Sequence, residues 1–91
     1  MAIAVVFAPT SMSISQYDEC IEQLEQAGAG SPPGRLYHVC HVIDGRPQVL
    51  DVWDSRESFE RFGQTLMPIA ERLGFDPGQP VVSEVRNVIK G

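Results

Sequence analysis

The chain has 91 residues and a formal net charge of −5 at pH 7. That length makes one domain, residues 1–91, and leaves so much surface uncovered that a homodimer is predicted. The acidic balance argues against nucleic acid and anionic membrane surfaces, which need clustered Lys and Arg, and Cys20 and Cys40 lack the spacing of a metal site or disulfide framework.

Ala2-Ile-Ala-Val-Val-Phe-Ala8 is apolar on both faces and stopped by Pro9-Thr10, which predicts a central strand covered on both sides. The run is too short for a secretory signal or a membrane span, so a cytoplasmic location is expected. Ser13 and Gln16 stand at capping-box spacing. Ile14, Tyr17, Ile21 and Leu24 then recur at helical intervals opposite Asp18, Glu19, Glu22 and Glu25, predicting a helix to about Ala27. Residues 28–34 read as loop. Arg35-Leu-Tyr-His-Val-Cys-His-Val-Ile43 is a second strand, Asp44-Gly45 a two-residue hairpin signal, and a third strand follows.

At Ser55 the sequence period changes from two to about 3.6 residues. Ser55 offers an oxygen to the orphan amides of the next turn, and Glu57 suits the positive helix end. The helix from Arg56 to Leu73 turns Phe59, Phe62, Leu66, Ile69 and Leu73 toward the sheet, with a bend or break predicted at Gly63 or Pro68. Residues 76–80 read as loop, and Val81 to Lys90 alternates as a last strand.

The order βαββαβ, with right-handed crossovers, predicts a four-stranded antiparallel sheet in spatial order 4-1-3-2 with both helices on one face, an α+β fold. Leu36, Val42, Val49 and Trp53 are expected on the opposite face, where a second subunit would cover them and enclose a cavity.

These elements resemble the dimeric α/β barrel superfamily with its ferredoxin-like protomer, which includes antibiotic-biosynthesis monooxygenases, haem-degrading monooxygenases, muconolactone isomerase and small polyketide cyclases. The most specific part is Val52-Trp-Asp-Ser-Arg-Glu-Ser-Phe59, similar to the strand-to-helix junction of monooxygenase-like members. Tyr37-His38 with Asp51-Val-Trp53 is similar to an uncharacterised bacterial subgroup. The resemblance implies a small-molecule site, in several members without metal or organic cofactor, and none is predicted here. Haem degraders use a histidine on the second helix as iron ligand; residues 56–73 contain none, which argues against haem degradation.

The hairpin register decides the chemistry. A two-residue turn sets His38 opposite Asp51 and Leu36 opposite Trp53, whereas a three-residue turn pairs His38 with Val52 and puts Asp51 on the other face. The first register yields a face of Leu36, His38, Cys40, Val42, Val49, Asp51 and Trp53, predicted to line the cavity. Tyr37, Val39, Ile43, Leu50 and Val52 then form the face expected to meet the helices. On this reading His38 is the base and Asp51 its orienting partner. Trp53, Leu36, Cys40, Val49 and Tyr17 are the candidate substrate contacts. His38 and Asp51 also suit a satisfied interior pair, or Asp51 a partner for Arg35 or Arg86; Trp53 and Tyr17 suit core packing, and His41 suits the surface. Arg86 and Asn87 alternate, so one of them faces the cavity.

The leading functional expectation is a cofactor-independent enzyme that takes a proton from a small aromatic or polyketide-like molecule. The resulting carbanion is captured by dioxygen, or rearranges as in cyclases and isomerases. A carrier or sensor of a hydrophobic molecule, or a structural dimer module, is the alternative.

Overall fold

The computed structural model describes all residues, Met1–Gly91. Its elements are β1 (Ile3–Phe7), α1 (Ile14–Gln26), β2 (Arg35–Ile43), β3 (Arg46–Trp53), α2 (Arg56–Leu73) and β4 (Val81–Glu84). The antiparallel sheet has the order β2-β3-β1-β4, the predicted arrangement read from its other edge. This is a ferredoxin-like α+β fold.

Local chemistry accounts for the element boundaries. The Ser13 hydroxyl accepts from the Gln16 amide while the Gln16 side chain accepts from the Ser13 amide, a reciprocal capping box that starts α1. Ser55 caps α2 through the Ser58 amide, and Gly74, at φ 79°, ends it in the left-handed conformation. Pro68 does not break α2, which runs unbroken with Pro68 exposed on its outer side. Asp44 and Gly45 both have positive φ, 51° and 78°, as a type I′ turn requires, so Ile43 pairs with Arg46 and the register follows from there. Pro47 is accommodated in β3 because β1 stops at Phe7, opposite Val49, and asks no amide of it.

The core lies between the helices and one sheet face. Val5 and Trp53 are fully buried there, with Phe7 and Val49 beside them and Cys20, Leu24, Phe62 and Ile69 supplied by the helices. Trp53 packs against Phe59 and Phe62 of α2 at ring-centroid distances of 5.9 and 5.2 Å. The helices therefore cover the face of His38, Val49, Asp51 and Trp53, opposite to expectation. The uncovered face carries Val6, Tyr37, Val39, Ile43 and Leu50, all exposed, with Ala4 and Val52 half-buried. Within one chain β1 is covered on its inner side alone, and Val6 opens to the outer face.

The last strand is also shorter than its alternation predicts. The Val85 amide still donates to the Ala2 carbonyl, but β1 begins at Ile3, so residues beyond have run past their neighbour. No helix is long and apolar enough to cross a membrane.

Candidate functional site

Three elements bring three polar side chains into one line. The type I′ turn fixes His38 opposite Asp51, and the imidazole Nδ1 lies 2.6 Å from Asp51 Oδ1. Asp51 is 3% exposed, so this imidazole is the partner that makes its burial tolerable. One turn into α1, Tyr17 faces the sheet on the same stripe as Cys20, Ile21 and Leu24, and its hydroxyl lies 2.7 Å from His38 Nε2. The two rings are parallel to within 1°.

The hydrogens follow from this chain of acceptors. Asp51 accepts the Nδ1–H, which leaves Nε2 with a lone pair, and Tyr17 O–H donates to it. Burial pushes the Tyr17 hydroxyl up to about 12, reinforced by the neighbouring Cys40 thiol and the Asp51 charge and opposed by the Arg35 guanidinium. Tyr17 is therefore a hydroxyl at neutral pH, able to pass one proton on as it receives another.

A cleft opens beside this line, between the helices and the sheet. Tyr17, His38, Asp51 and Arg35 supply its polar wall; Phe7, Val49, Leu24, Phe62, Leu66 and Phe75 are among its apolar lining. The cleft's interior volume is about 60 Å³, less than the roughly 150 Å³ of a cavity that holds benzene. With the open mouth included, the space is about 510 Å³, so a ring-sized ligand would have to extend into the mouth. No group of three or more His, Cys, Asp or Glu side chains is placed to hold a metal ion.

Of the residues singled out from sequence, His38, Asp51, Tyr17 and Val49 line this cleft. Leu36 does not: a register shift between Arg35 and Tyr37 sets Arg35 opposite Trp53 and leaves Leu36 57% exposed. Trp53 lies beneath α2, fully buried, with its indole N–H unpartnered. Cys40 is half-buried beside Tyr17 and outside the cleft lining; burial is the main cause that raises its thiol pKa, which keeps it protonated. Arg86 and Asn87 border a groove on the outer face, and neither reaches the cleft. Val42, at the hairpin end, is exposed, as is His41.

Arg35 lines the cleft too, which unbroken alternation along β2 does not predict, since Arg35 would then share the outer face with Tyr37. The preceding Gly34, at φ 89°, is held where an added Cβ would lie 2.5 Å from Ser58 Cβ and 2.7 Å from Asp54 Oδ1. A chain so constrained at the start of a strand is where a bulge re-aims a side chain.

No protein-family model matches the chain, and none of the curated proteins does. Solved structures do. A variant of SnoaB, a cofactor-independent oxygenase from Streptomyces nogalater, superposes with a TM-score of 0.68 at 17% identity, over 99% of this chain and 98% of that one. A candidate antibiotic biosynthesis monooxygenase from Chloroflexus aurantiacus matches with a TM-score of 0.67 at 14% identity, over 99% and 98%. The fold is the one seen in antibiotic biosynthesis monooxygenases. A third structure of this monooxygenase fold, ActVA-Orf6 of Streptomyces coelicolor in complex with nanaomycin D, matches with a TM-score of 0.57 at 19% identity, over 99% and 91%. At these identities the likeness is one of architecture, and the chemistry has to be argued from the side chains.

Proposed function

We propose that the chain is a small-molecule enzyme that removes a proton from an acidic carbon or phenol of an aromatic or polyketide-like substrate, with no bound cofactor. The observation that carries this reading is the hydrogen-bonded line Asp51–His38–Tyr17 ending at a largely apolar cleft. The substrate proton passes to the Tyr17 oxygen as the Tyr17 proton passes to His38 Nε2. Asp51 stabilises the imidazolium that results. This differs from direct abstraction by His38, because the Tyr17 hydroxyl already occupies Nε2.

The carbanion so formed is captured by dioxygen or by an electrophile within the same molecule. The architectural likeness to two oxygenases supports dioxygen. The outer sheet face is the expected seat of a second copy. Val39, Leu50, Val6 and Val81 form one row across all four strands, too apolar for a small chain to leave in water.

Deuterium uptake into a panel of aryl ketones with acidic methylenes, followed by proton NMR, tests the proton transfer. Exchange is expected with the wild type and lost in His38→Ala, with circular dichroism showing an unchanged fold. No exchange with any ketone, or exchange that survives His38→Ala, overturns it. The saturation of His38 on both ring nitrogens favours a second reading, a binding protein in which these groups merely satisfy one another. Ligand binding without exchange is its signature.

A further inference from the structure

Arg35 stands on the cleft wall without a carboxylate partner. The ion pairs of the chain are His38–Asp51 and Arg61–Glu57. The bulge at Leu36 keeps Arg35 on the inner face, opposite Trp53, and its guanidinium is fixed from two sides. One nitrogen donates to the Gly30 carbonyl at 2.8 Å, and the group sits 6.0 Å from the centre of the Phe62 ring. The rest of the donor fork is uncommitted within the protein. Its charge reaches the far end of the proton line, where it opposes the other influences on the Tyr17 hydroxyl.

A half-buried, preoriented cation on a largely apolar wall asks for an anionic oxygen. The local charges say when it is satisfied. With a neutral imidazole, Arg35 balances Asp51; once the imidazole takes a proton, the wall carries one positive charge in excess. That excess appears at the moment the substrate loses its proton.

Resting on the proton-transfer reading above, we infer that Arg35 binds an oxyanion of the substrate: the substrate class is a small apolar molecule whose oxygen is, or becomes, negatively charged at the Arg35 end of the cleft. The shared chemistry is a carboxylate carried throughout, or an enolate or phenolate formed on deprotonation. Arg35 holds that oxygen while Tyr17 and His38 take the proton, so the charge that develops on the substrate forms beside a guanidinium instead of in an apolar pocket.

Binding measured by calorimetry tests this without turnover. In one arm the intact protein is titrated with 2-naphthoate and with its uncharged isostere 2-naphthamide; in the other, with 4-nitrophenol at a pH where it is ionised and with 4-nitroanisole. The expected result is at least a tenfold preference for the charged member of one pair, reduced to less than threefold in Arg35→Gln and partly restored in Arg35→Lys. A preference in the first pair assigns a permanent carboxylate, and a preference confined to the second assigns an oxyanion made in the reaction. Equal affinity within both pairs, no binding of either anion, or a preference that survives Arg35→Gln overturns the inference. The wild-type comparison stands even if a variant fails to fold. Deuterium exchange without anion preference leaves the proton relay standing and removes Arg35; anion preference without exchange does the reverse.

Discussion

Gly34 is where the fold pays most visibly for placing Arg35, and Gly34→Ala measures that cost. Two effects add. An L side chain at φ 89° is strained by roughly 1–2 kcal/mol. The new Cβ would also lie 2.5 Å from Ser58 Cβ, closer than real side chains approach, so the first turn of α2 has to shift. That turn holds the Ser55 cap, which accepts from the Ser58 amide at 3.2 Å and whose loss costs about 1 kcal/mol. The sum is roughly 2–3 kcal/mol, which in a domain of this size lowers the melting temperature by about 10–20 °C. Gly45→Ala is the control: its φ is 78°, with nothing within 4 Å of the added Cβ, so it suffers strain alone. Thermal unfolding followed by circular dichroism, at matched protein concentration, reads both. Gly34→Ala should melt at least 4 °C below Gly45→Ala, about 1 kcal/mol worth. Equal melting temperatures would refute the argument that close packing against α2 demands glycine here.

Further expectations follow from the same geometry. Asp51→Asn should cut any proton-exchange rate by roughly 10²- to 10⁴-fold, because an amide can present its N–H₂ to His38 and reverse the tautomer; a rate within twofold of wild type would contradict that role. Tyr17 keeps its proton to about 12 when folded, against an ordinary value of 10.0, so the folded chain binds more protons across that interval. Its contribution to stability is complete below pH 10 and is lost as pH rises through about 12. Urea unfolding across this range should show a steeper alkaline decline for wild type than for Tyr17→Phe, and parallel declines would count against the burial of that hydroxyl. Val6→Lys, at the middle of the outer apolar row, should leave the fold intact and yield monomers in analytical ultracentrifugation. An unchanged sedimentation coefficient would mean that no second copy docks there.

The sequence carried the register well. Asp44-Gly45 prescribes a type I′ turn, and alternation then sets His38 against Asp51 without further information. It misled on which face the helices take. The face of Tyr37, Val39, Leu50 and Val52 is the more uniformly aliphatic, and hydrophobicity alone assigns it to the helices. What decides against it is a polar match and an aromatic one: Tyr17 of α1 brings a hydroxyl to His38, while Phe59 and Phe62 of α2 pack against Trp53 in tilted ring contacts. Both contacts are long-range and leave no local period. The bulge at Leu36 was illegible for a related reason, since no residue type there requires it; the constraint sits one element away, where Gly34 meets Ser58. The early end of β4 is likewise set by the first residue of β1 and not by its own alternation.

The two sheet faces are separated by a single step along the chain. His38 is flanked by Tyr37 and Val39, and Asp51 by Leu50 and Val52, so every covalent neighbour of the proton-handling pair belongs to the outer surface. A second copy docked on that surface, as proposed above, would bear on the same peptide planes that set the 2.6 Å imidazole–carboxylate spacing. If the proposed dimer and proton transfer both hold, specific activity should change with dilution, and a molecule wedged into the seam would act as a dial on the reaction without ever meeting the substrate.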